Sequence, residues 1–146
     1  MPERVAIIGS RAGADLQQVD DFVYALRSKH PGTIVVSGGA SGVDKLAETT
    51  WLSFGGRVES YRPVIVRDSY GIEKWELGGD QQKVYVMAEE PTFENFKSAA
   101  LYRDMLIAEV SDRVVAFFRS GYSRGAGFTK EIAEGYGRPT YEYMAA

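Results

Sequence analysis

Three polar loops carry the residue types that could bind an anionic ligand. Each loop follows an apolar run and precedes a helical pattern, at residues 9–11, 37–44 and 120–129. Glycine lets backbone N–H groups approach a phosphate closely, and the N-terminus of the following helix adds partial positive charge and unpaired donors. Such glycines can also serve only to permit tight turns. Because two glycine-rich loops occupy equivalent positions, the pattern favours an anion-binding site.

The spacing of the glycines differs from that of the common nucleotide-binding motifs. The first apolar run is followed by Gly9-Ser10-Arg11-Ala12-Gly13, which lacks the third glycine of the dinucleotide fingerprint. A Gly-Lys-Ser/Thr triplet, which a P-loop requires, does not occur in the sequence. Ordinary NAD sites and Walker-type ATP sites are therefore disfavoured.

A few charged residues stand at positions where they could take part in chemistry. Arg103 interrupts the apolar stripe of a predicted helix, so it either pairs with Asp104 or Asp112 or binds a phosphate or carboxylate. Asp44 begins a predicted helix, where it either stabilises the helix dipole or holds a ligand hydroxyl. Glu131 lies in the first turns of another helix, and a carboxylate is favourable there in any case.

Apolar runs alternate with helical patterns along the chain, which predicts an α/β fold. Short β-branched runs are typical of strands buried on both faces, and stripes of apolar residues at helical spacing separate them. We expect one Rossmann-like, three-layer α/β/α domain over residues 1–146, with about five mainly parallel strands. The predicted strands are residues 5–8, 33–36, 57–66, 113–118 and 139–144, and the predicted helices are residues 16–26, 43–54, 94–110 and 129–136.

Residues 67–91 do not follow either pattern, so we interpret them as an insertion. Aromatic residues, paired glycines and charges are interleaved there without a clear period. Residues 83–88 are predicted to form a short extra strand. A long segment at this point of the fold could lie over a binding cleft.

Composition limits the classes of partner. The net charge of -3 provides no bulk positive field for a polyanion, so nucleic acid is disfavoured as a partner. The chain has no cysteine and a single histidine, which excludes disulfides, thiol nucleophiles and the usual zinc sites. We expect no metal and no cofactor. The apolar run near the N-terminus is too short for a signal sequence or a membrane span, so a cytoplasmic protein with no membrane partner is expected.

The first two loops, with the apolar runs before them, resemble those of the SLOG superfamily. The matching segments are Val5-Ala6-Ile7-Ile8-Gly9-Ser10-Arg11 and Val35-Val36-Ser37-Gly38-Gly39-Ala40-Ser41-Gly42-Val43-Asp44-Lys45-Leu46-Ala47. The segments Tyr102-Arg103-Asp104-Met105 and Ser111-Asp112-Arg113-Val114-Val115-Ala116-Phe117 are similar to the family's later helix and strand. Together the resemblance covers residues 4–56 and 99–144.

That superfamily includes bacterial and phage proteins related to the YpsA type, lonely-guy-like phosphoribohydrolases and the Rossmann-like domain of DNA-processing protein A. The resemblance implies a Rossmann-like fold and a nucleotide or ADP-ribose-like ligand at the C-terminal ends of the strands, with a role in nucleotide signalling or metabolism. The expected ligand contacts are Gly9, Ser10 and Arg11 from the first loop, Ser37, Gly38, Gly39, Gly42 and Asp44 from the second, and Gly125, Gly127 and Thr129 from the third.

Hydrolysis of nucleoside monophosphates is an alternative function, with Arg103 and Glu131 as the catalytic pair. The phosphoribohydrolases carry the motif Pro-Gly-Gly-x-Gly-Thr-x-x-Glu. This chain has Arg124-Gly125-Ala126-Gly127-Phe128-Thr129-Lys130-Glu131, without the proline, with one glycine replaced and with the glutamate one position early. We therefore expect a binding protein rather than an N-glycosidic hydrolase.

A second alternative is binding of single-stranded DNA, as the resemblance to DNA-processing protein A implies. Arginines placed near the cleft would carry it: Arg11, Arg103, Arg113, Arg119 and Arg124. The acidic balance of the chain disfavours this alternative.

We also expect a homodimer. On the predicted helix over residues 94–110, Leu101, Met105 and Ala108 lie opposite a first apolar face. A symmetric dimer would bury this second face, unless the insertion covers it within one chain.

Overall fold

The chain folds around a parallel β-sheet with helices on both faces. A computed structural model describes residues 2–67, 73–78, 96–119 and 131–145. Residues 131–135 form a helical turn. The helices and strands are β1 (Arg4–Gly9), α1 (Leu16–Lys29), β2 (Ile34–Ser37), α2 (Val43–Ser53), β3 (Arg57–Ser60), β4 (Arg62–Arg67), β5 (Glu73–Gly78), α3 (Phe96–Val110), β6 (Arg113–Phe118) and β7 (Thr140–Met144).

The main sheet has five parallel strands in the order β3-β2-β1-β6-β7. β1 is central: Val5 aligns with Val35 of β2 and with Arg113 of β6. β2 and β3 lie on one side of β1. The chain then crosses through α3 to the other side of β1, where β6 and β7 lie, so the strand order reverses between β1 and β6. In open parallel sheets, ligands bind beyond the carboxyl ends of the strands at this kind of reversal.

Alternate residues of the sheet pack against α1 and α2 on one face. Successive side chains of a strand point to opposite faces of the sheet, so Val5, Ile7 and Val35 face this layer. There they contact the buried sides of both helices. Trp51 of α2 is buried, and its indole N–H donates to the Thr33 carbonyl oxygen at 3.1 Å. Each fully buried aliphatic or aromatic side chain of this layer contributes about 1.5–3 kcal/mol to the free energy of unfolding.

The opposite face of the sheet packs against α3 and the helical turn 131–135. Ala6, Ile8 and Ala116 point to this side, where they contact buried residues of α3 and of the turn. The molecule therefore has three layers, which confirms the predicted Rossmann-like α/β/α architecture with five parallel strands.

The single strand predicted over residues 57–66 is wrong, because two strands occupy this stretch. Buried Tyr61 separates β3 from β4, and its backbone N–H donates to the Ser37 carbonyl oxygen at 2.8 Å. β4 leaves the main sheet and pairs with β5 in an antiparallel two-stranded sheet that contacts α3. The predicted insertion thus contains β5, whereas the strand predicted over residues 83–88 lies outside the described residues.

The second apolar face predicted for α3 is partly covered by the fold itself. Ala108 is fully buried in the core and Met105 is half-buried, while the side chain of Leu101 lies outside the described part. The homodimer stays a prediction. Within the described ranges, no helix is long and apolar enough to cross a membrane.

Candidate functional site

The strands β1, β2, β3 and β6 end on the same side of the sheet, which we call the carboxyl edge. The opposite side, where the strands begin, is the amino edge. The loops that follow β1 and β2 and the first residue after β6 meet at the carboxyl edge. Because the strand order reverses here between β1 and β6, this edge is the candidate site.

Buried Ser10 joins the loop after β1 to the end of β6. Its hydroxyl oxygen accepts the backbone N–H of Arg119 at 2.8 Å, and its own N–H donates to the Phe117 carbonyl oxygen at 3.0 Å. The Ser10 carbonyl oxygen in turn accepts the N–H of Val43, the first residue of α2, at 3.3 Å. Ser10 therefore holds together the two strand ends that border the reversal.

The glycines of the first two loops are required by close packing within the protein. A Cβ at Gly9 would overlap the Phe117 carbonyl oxygen and lie 2.7 Å from Val43 Cγ2. Gly42 has a φ of +83°, and a Cβ there would collide with the carbonyl oxygens of the loop after β1. These glycines let α2 approach β1 closely, so their presence alone is no evidence for a bound phosphate.

Both carboxylate oxygens of Asp44 accept hydrogen bonds from backbone N–H groups at the ends of two strands. Oδ1 accepts the N–H of Gly9 and Oδ2 accepts the N–H of Gly38, each at 3.2 Å. Asp44 lies in the first turn of α2 and is 5% exposed. Burial raises the pKa of Asp44 from 3.8 to about 7, against the lowering effect of Arg103 and of the backbone N–H groups of Ala40 and Gly9.

Arg103 of α3 reaches the same loop from the other helix layer. Its Nη1 donates to the Gly38 carbonyl oxygen at 2.9 Å, and its Nε donates to Asp104 Oδ1 at 2.8 Å. Arg103 is 9% exposed. The pairing with Asp104 that the sequence left open is thus present, and the role of Arg103 as a phosphate ligand stays a prediction. We call Gly9, Gly38, Asp44, Arg103 and Asp104 the Asp44 network.

Three exposed cationic residues also lie at the carboxyl edge. Arg11 follows the end of β1, Lys45 lies in the first turn of α2, and Arg119 follows β6; all three are exposed. Arg119 is held beside the first loop, because a Cβ at Gly13 would lie 2.9 Å from Arg119 Cβ. Three cationic side chains are therefore exposed next to the reversal point.

The other candidate site residues fall into three groups. Ser37 and Gly39 belong to the second loop, where the Ser37 hydroxyl oxygen accepts the Gly39 N–H at 3.1 Å. Glu131 is exposed at the start of the helical turn 131–135. The predicted ligand contacts Gly125, Gly127 and Thr129 lie outside the described residues.

One arginine that we placed near the cleft lies elsewhere. Arg113 is the first residue of β6, at the amino edge, and its Nε donates to Glu3 Oε1 at 3.1 Å. The prediction of Arg113 near the cleft is wrong because the direction of a strand decides which edge each of its ends reaches.

Sequence reasoning missed Lys45 and the buried pair of Glu48 with Ser60. The Ser60 hydroxyl donates to Glu48 Oε1 at 2.9 Å. The signal was present: Asp44 and Glu48 are four residues apart on the face of α2 that also carries Ala47 and Trp51. Acidic residues within an apolar helical stripe indicate a buried polar network. Among the described residues, no group of three or more acidic or histidine side chains could hold a metal ion.

Comparisons with known proteins point to one fold. DNA processing protein A from Streptococcus pneumoniae superposes with a TM-score of 0.69 at 20% sequence identity, over 100% of this chain and 51% of that one. DNA processing protein A from Helicobacter pylori, solved in a study of its single-stranded DNA binding mode, gives 0.69 at 23% identity, over 97% of this chain and 65% of that one. The molybdenum cofactor binding protein from Rippkaea orientalis gives 0.65 at 13% identity, over 100% of this chain and 78% of that one.

This chain spans about half the length of the Streptococcus protein and about two thirds of the Helicobacter protein. The comparison with curated proteins finds no match. The sequence profile of the family described as DNA recombination-mediator protein A matches residues 1–145. The chain therefore belongs to the DNA recombination-mediator protein A family.

Proposed function

We propose that this protein binds a phosphate-bearing nucleotide unit at the carboxyl edge of its sheet. The observation that carries the proposal is the set of exposed cations Arg11, Lys45 and Arg119 at the point where the strand order reverses. A phosphate placed there would accept charge-assisted hydrogen bonds, and its sugar would lie toward the loop over residues 37–44. Arg11 follows the end of β1 and Arg119 follows the end of β6, the two neighbouring strands at the reversal, and the proposed ligand would contact both.

The backbone amides contribute less to this site than the glycine pattern suggests. Gly9 and Gly38 donate their N–H groups to Asp44, and Gly39 donates its N–H to Ser37. A ligand phosphate would have to displace those acceptors to use the same donors. The proposed site therefore depends on cationic side chains more than a dinucleotide-binding loop does.

Single-stranded DNA is the second candidate for the source of the nucleotide unit. Membership of the DNA recombination-mediator family favours it, and so does the binding of single-stranded DNA by the Helicobacter protein. A strand that neutralised three phosphates on Arg11, Lys45 and Arg119 would show a slope of about −2 in log K against log salt. Its affinity would then fall about twentyfold between about 50 and about 200 mM salt.

The test compares free nucleotides with a strand. AMP, ADP and ADP-ribose are titrated calorimetrically into the protein, and a labelled oligothymidylate is titrated by fluorescence anisotropy. Both titrations are carried out at the two salt concentrations. Arg11→Ala and Arg119→Ala are each expected to weaken the bound probe about tenfold or more, the scale of a lost charge-assisted hydrogen bond. Arg57→Ala is the matched control, because Arg57 is also exposed but begins β3 at the amino edge.

The outcomes separate the candidates. Binding of a free nucleotide with weak salt dependence supports a small-molecule ligand, and steep salt dependence with the oligothymidylate alone supports the DNA candidate. Equal losses in Arg57→Ala and Arg11→Ala would contradict the proposed location. Absence of binding by every probe at low salt and millimolar nucleotide would contradict the function itself.

A further inference from the structure

We propose that Asp44 is the positioning residue of the carboxyl edge: its buried carboxylate fixes the ends of β1 and β2 against α2 and α3, and so sets the ligand-binding geometry without contacting the ligand. The second half of this inference rests on the proposed function. The first half concerns the protein alone and is tested separately.

The contacts of the carboxylate join three elements. Asp44 belongs to α2, its Oδ1 accepts the N–H at the last residue of β1, and its Oδ2 accepts the N–H of the residue after β2. Both oxygens are thus engaged by backbone amides at 3.2 Å, inside the protein. A carboxylate used in this way fixes the distance between two strand ends, and Ser10 and Arg11 follow one of them directly.

The peptide of Gly38 is held on both of its polar sides. Its N–H donates to Asp44 from the α2 layer, and its carbonyl oxygen accepts from Arg103 of the α3 layer. A Cβ at this position would lie 3.0 Å from Asp44 Oδ2 and 3.1 Å from Arg103 Cδ. The loop after β2 is therefore enclosed between the two side chains, and its placement depends on both.

The charges around Asp44 come from both helix layers. Arg103 of α3 lowers the pKa of Asp44, whereas Glu48, one turn further along α2, raises it. Asp104, itself buried, pairs with Arg103 and Ser60 donates to Glu48. Since burial places the pKa of Asp44 at about 7, its carboxyl changes charge in a range that solution experiments cover easily. The backbone N–H groups of Gly9 and Gly38, which donate to this carboxyl, should respond to its change of charge.

The first test follows those amides by nuclear magnetic resonance and needs no ligand. The N–H resonances of Gly9 and Gly38 should change with pH between about pH 4 and about pH 8.5, with one shared midpoint. The reason is that ionisation of the Asp44 carboxyl changes the chemical shifts of the two amide protons that donate to it. Asp44→Asn should abolish this common titration. The matched control is Asp112→Asn, since Asp112 Oδ2 also accepts a backbone N–H, from Arg4 at 2.7 Å, but at the amino edge.

The second test asks whether Asp44 positions the site or contacts the ligand. AMP, 2′-deoxy-AMP and 2′,3′-dideoxy-AMP are titrated into the wild type, Asp44→Asn and Asp112→Asn. A positioning residue acts on the whole site, so Asp44→Asn should weaken all three probes by the same factor, about tenfold or more. A carboxylate that held a sugar hydroxyl would lose its effect on the probe that lacks this hydroxyl. Asp112→Asn should bind as the wild type does.

Each outcome bears on one half of the inference. Titration of Gly9 and Gly38 that persists unchanged in Asp44→Asn overturns the structural half, and so do resonances of both amides that keep their wild-type positions in that variant. A loss that disappears with a deoxy probe overturns positioning in favour of direct contact. If no probe binds the wild type, the proposed nucleotide function fails while the amide titration still decides the structural half. The wild-type titration also stands if Asp44→Asn does not fold.

Discussion

The two edges of the sheet use the same charged residue types in opposite ways. At the carboxyl edge, Asp44, Arg103 and Asp104 are buried, and each contacts a backbone group or another buried charge. At the amino edge, the side chains of Arg113 and Glu3 pair at 3.1 Å with 23% and 45% of their surface exposed. Water screens the second pair and leaves the first nearly unscreened.

The difference indicates where the fold depends on charge. An exposed pair contributes little to stability because the attraction is weak in water and two flexible side chains must be ordered. A buried group that loses its partner remains as an uncompensated charge. The buried charges of the Asp44 network are therefore more sensitive to loss of a partner than the exposed pair of Arg113 with Glu3.

The largest expected difference in the free energy of unfolding is between two arginine substitutions, one at each edge of the sheet. Arg103→Ala should lower the free energy of unfolding by about 3–5 kcal/mol, because the Gly38 carbonyl oxygen and two buried carboxylates lose a cation. Arg113→Ala should lower it by less than about 1 kcal/mol. Urea denaturation of both variants checks the contrast, and losses of equal size would show that the two edges do not differ.

The pH dependence of stability should differ between the wild type and Asp44→Asn. The folded state raises the pKa of Asp44 from 3.8 to about 7, so it holds a proton that the unfolded chain has released. The stability contributed by this proton is present below about pH 4 and is lost as the pH rises through about 7, by up to about 4 kcal/mol.

Asparagine does not titrate, so the stability of Asp44→Asn relative to the wild type should increase across the same interval. Urea denaturation of both proteins at several pH values measures this difference. A difference that stays constant from pH 4 to pH 8 would contradict a raised pKa for Asp44.

Two glycine substitutions give the smallest of these contrasts. Gly9→Ala should lower the free energy of unfolding by about 1–3 kcal/mol, since a Cβ there overlaps the Phe117 carbonyl oxygen and crowds Val43. Gly32→Ala, near the amino edge, places its methyl group in open space and should change stability by less than about 1 kcal/mol. Thermal unfolding compares them, and tolerance of alanine at position 9 would argue against the close approach of α2 to β1.

Much of the fold could be predicted from local pattern. The runs that became β1, β2 and β6 are continuously apolar because both faces of a central parallel strand are covered. Asp15 directly before α1 is a typical capping residue, and its carboxylate accepts the N–H groups of Gln17 and Gln18. The break between β3 and β4 escaped prediction because the antiparallel pairing of β4 with β5 is a contact between distant residues, which no local period encodes.

Local sequence patterns were enough to predict the three-layer architecture, the loops that border the candidate site and the residue types within them. The tertiary structure alone decided how those residues are used: Arg103 meets the Gly38 carbonyl oxygen 65 positions away, and Ser10 meets the Arg119 N–H 109 positions away. The physical reason is that apolar periodicity is a local property of the chain. A buried polar group needs a hydrogen-bond partner, and which partner lies within reach depends on how the helix and sheet layers pack together.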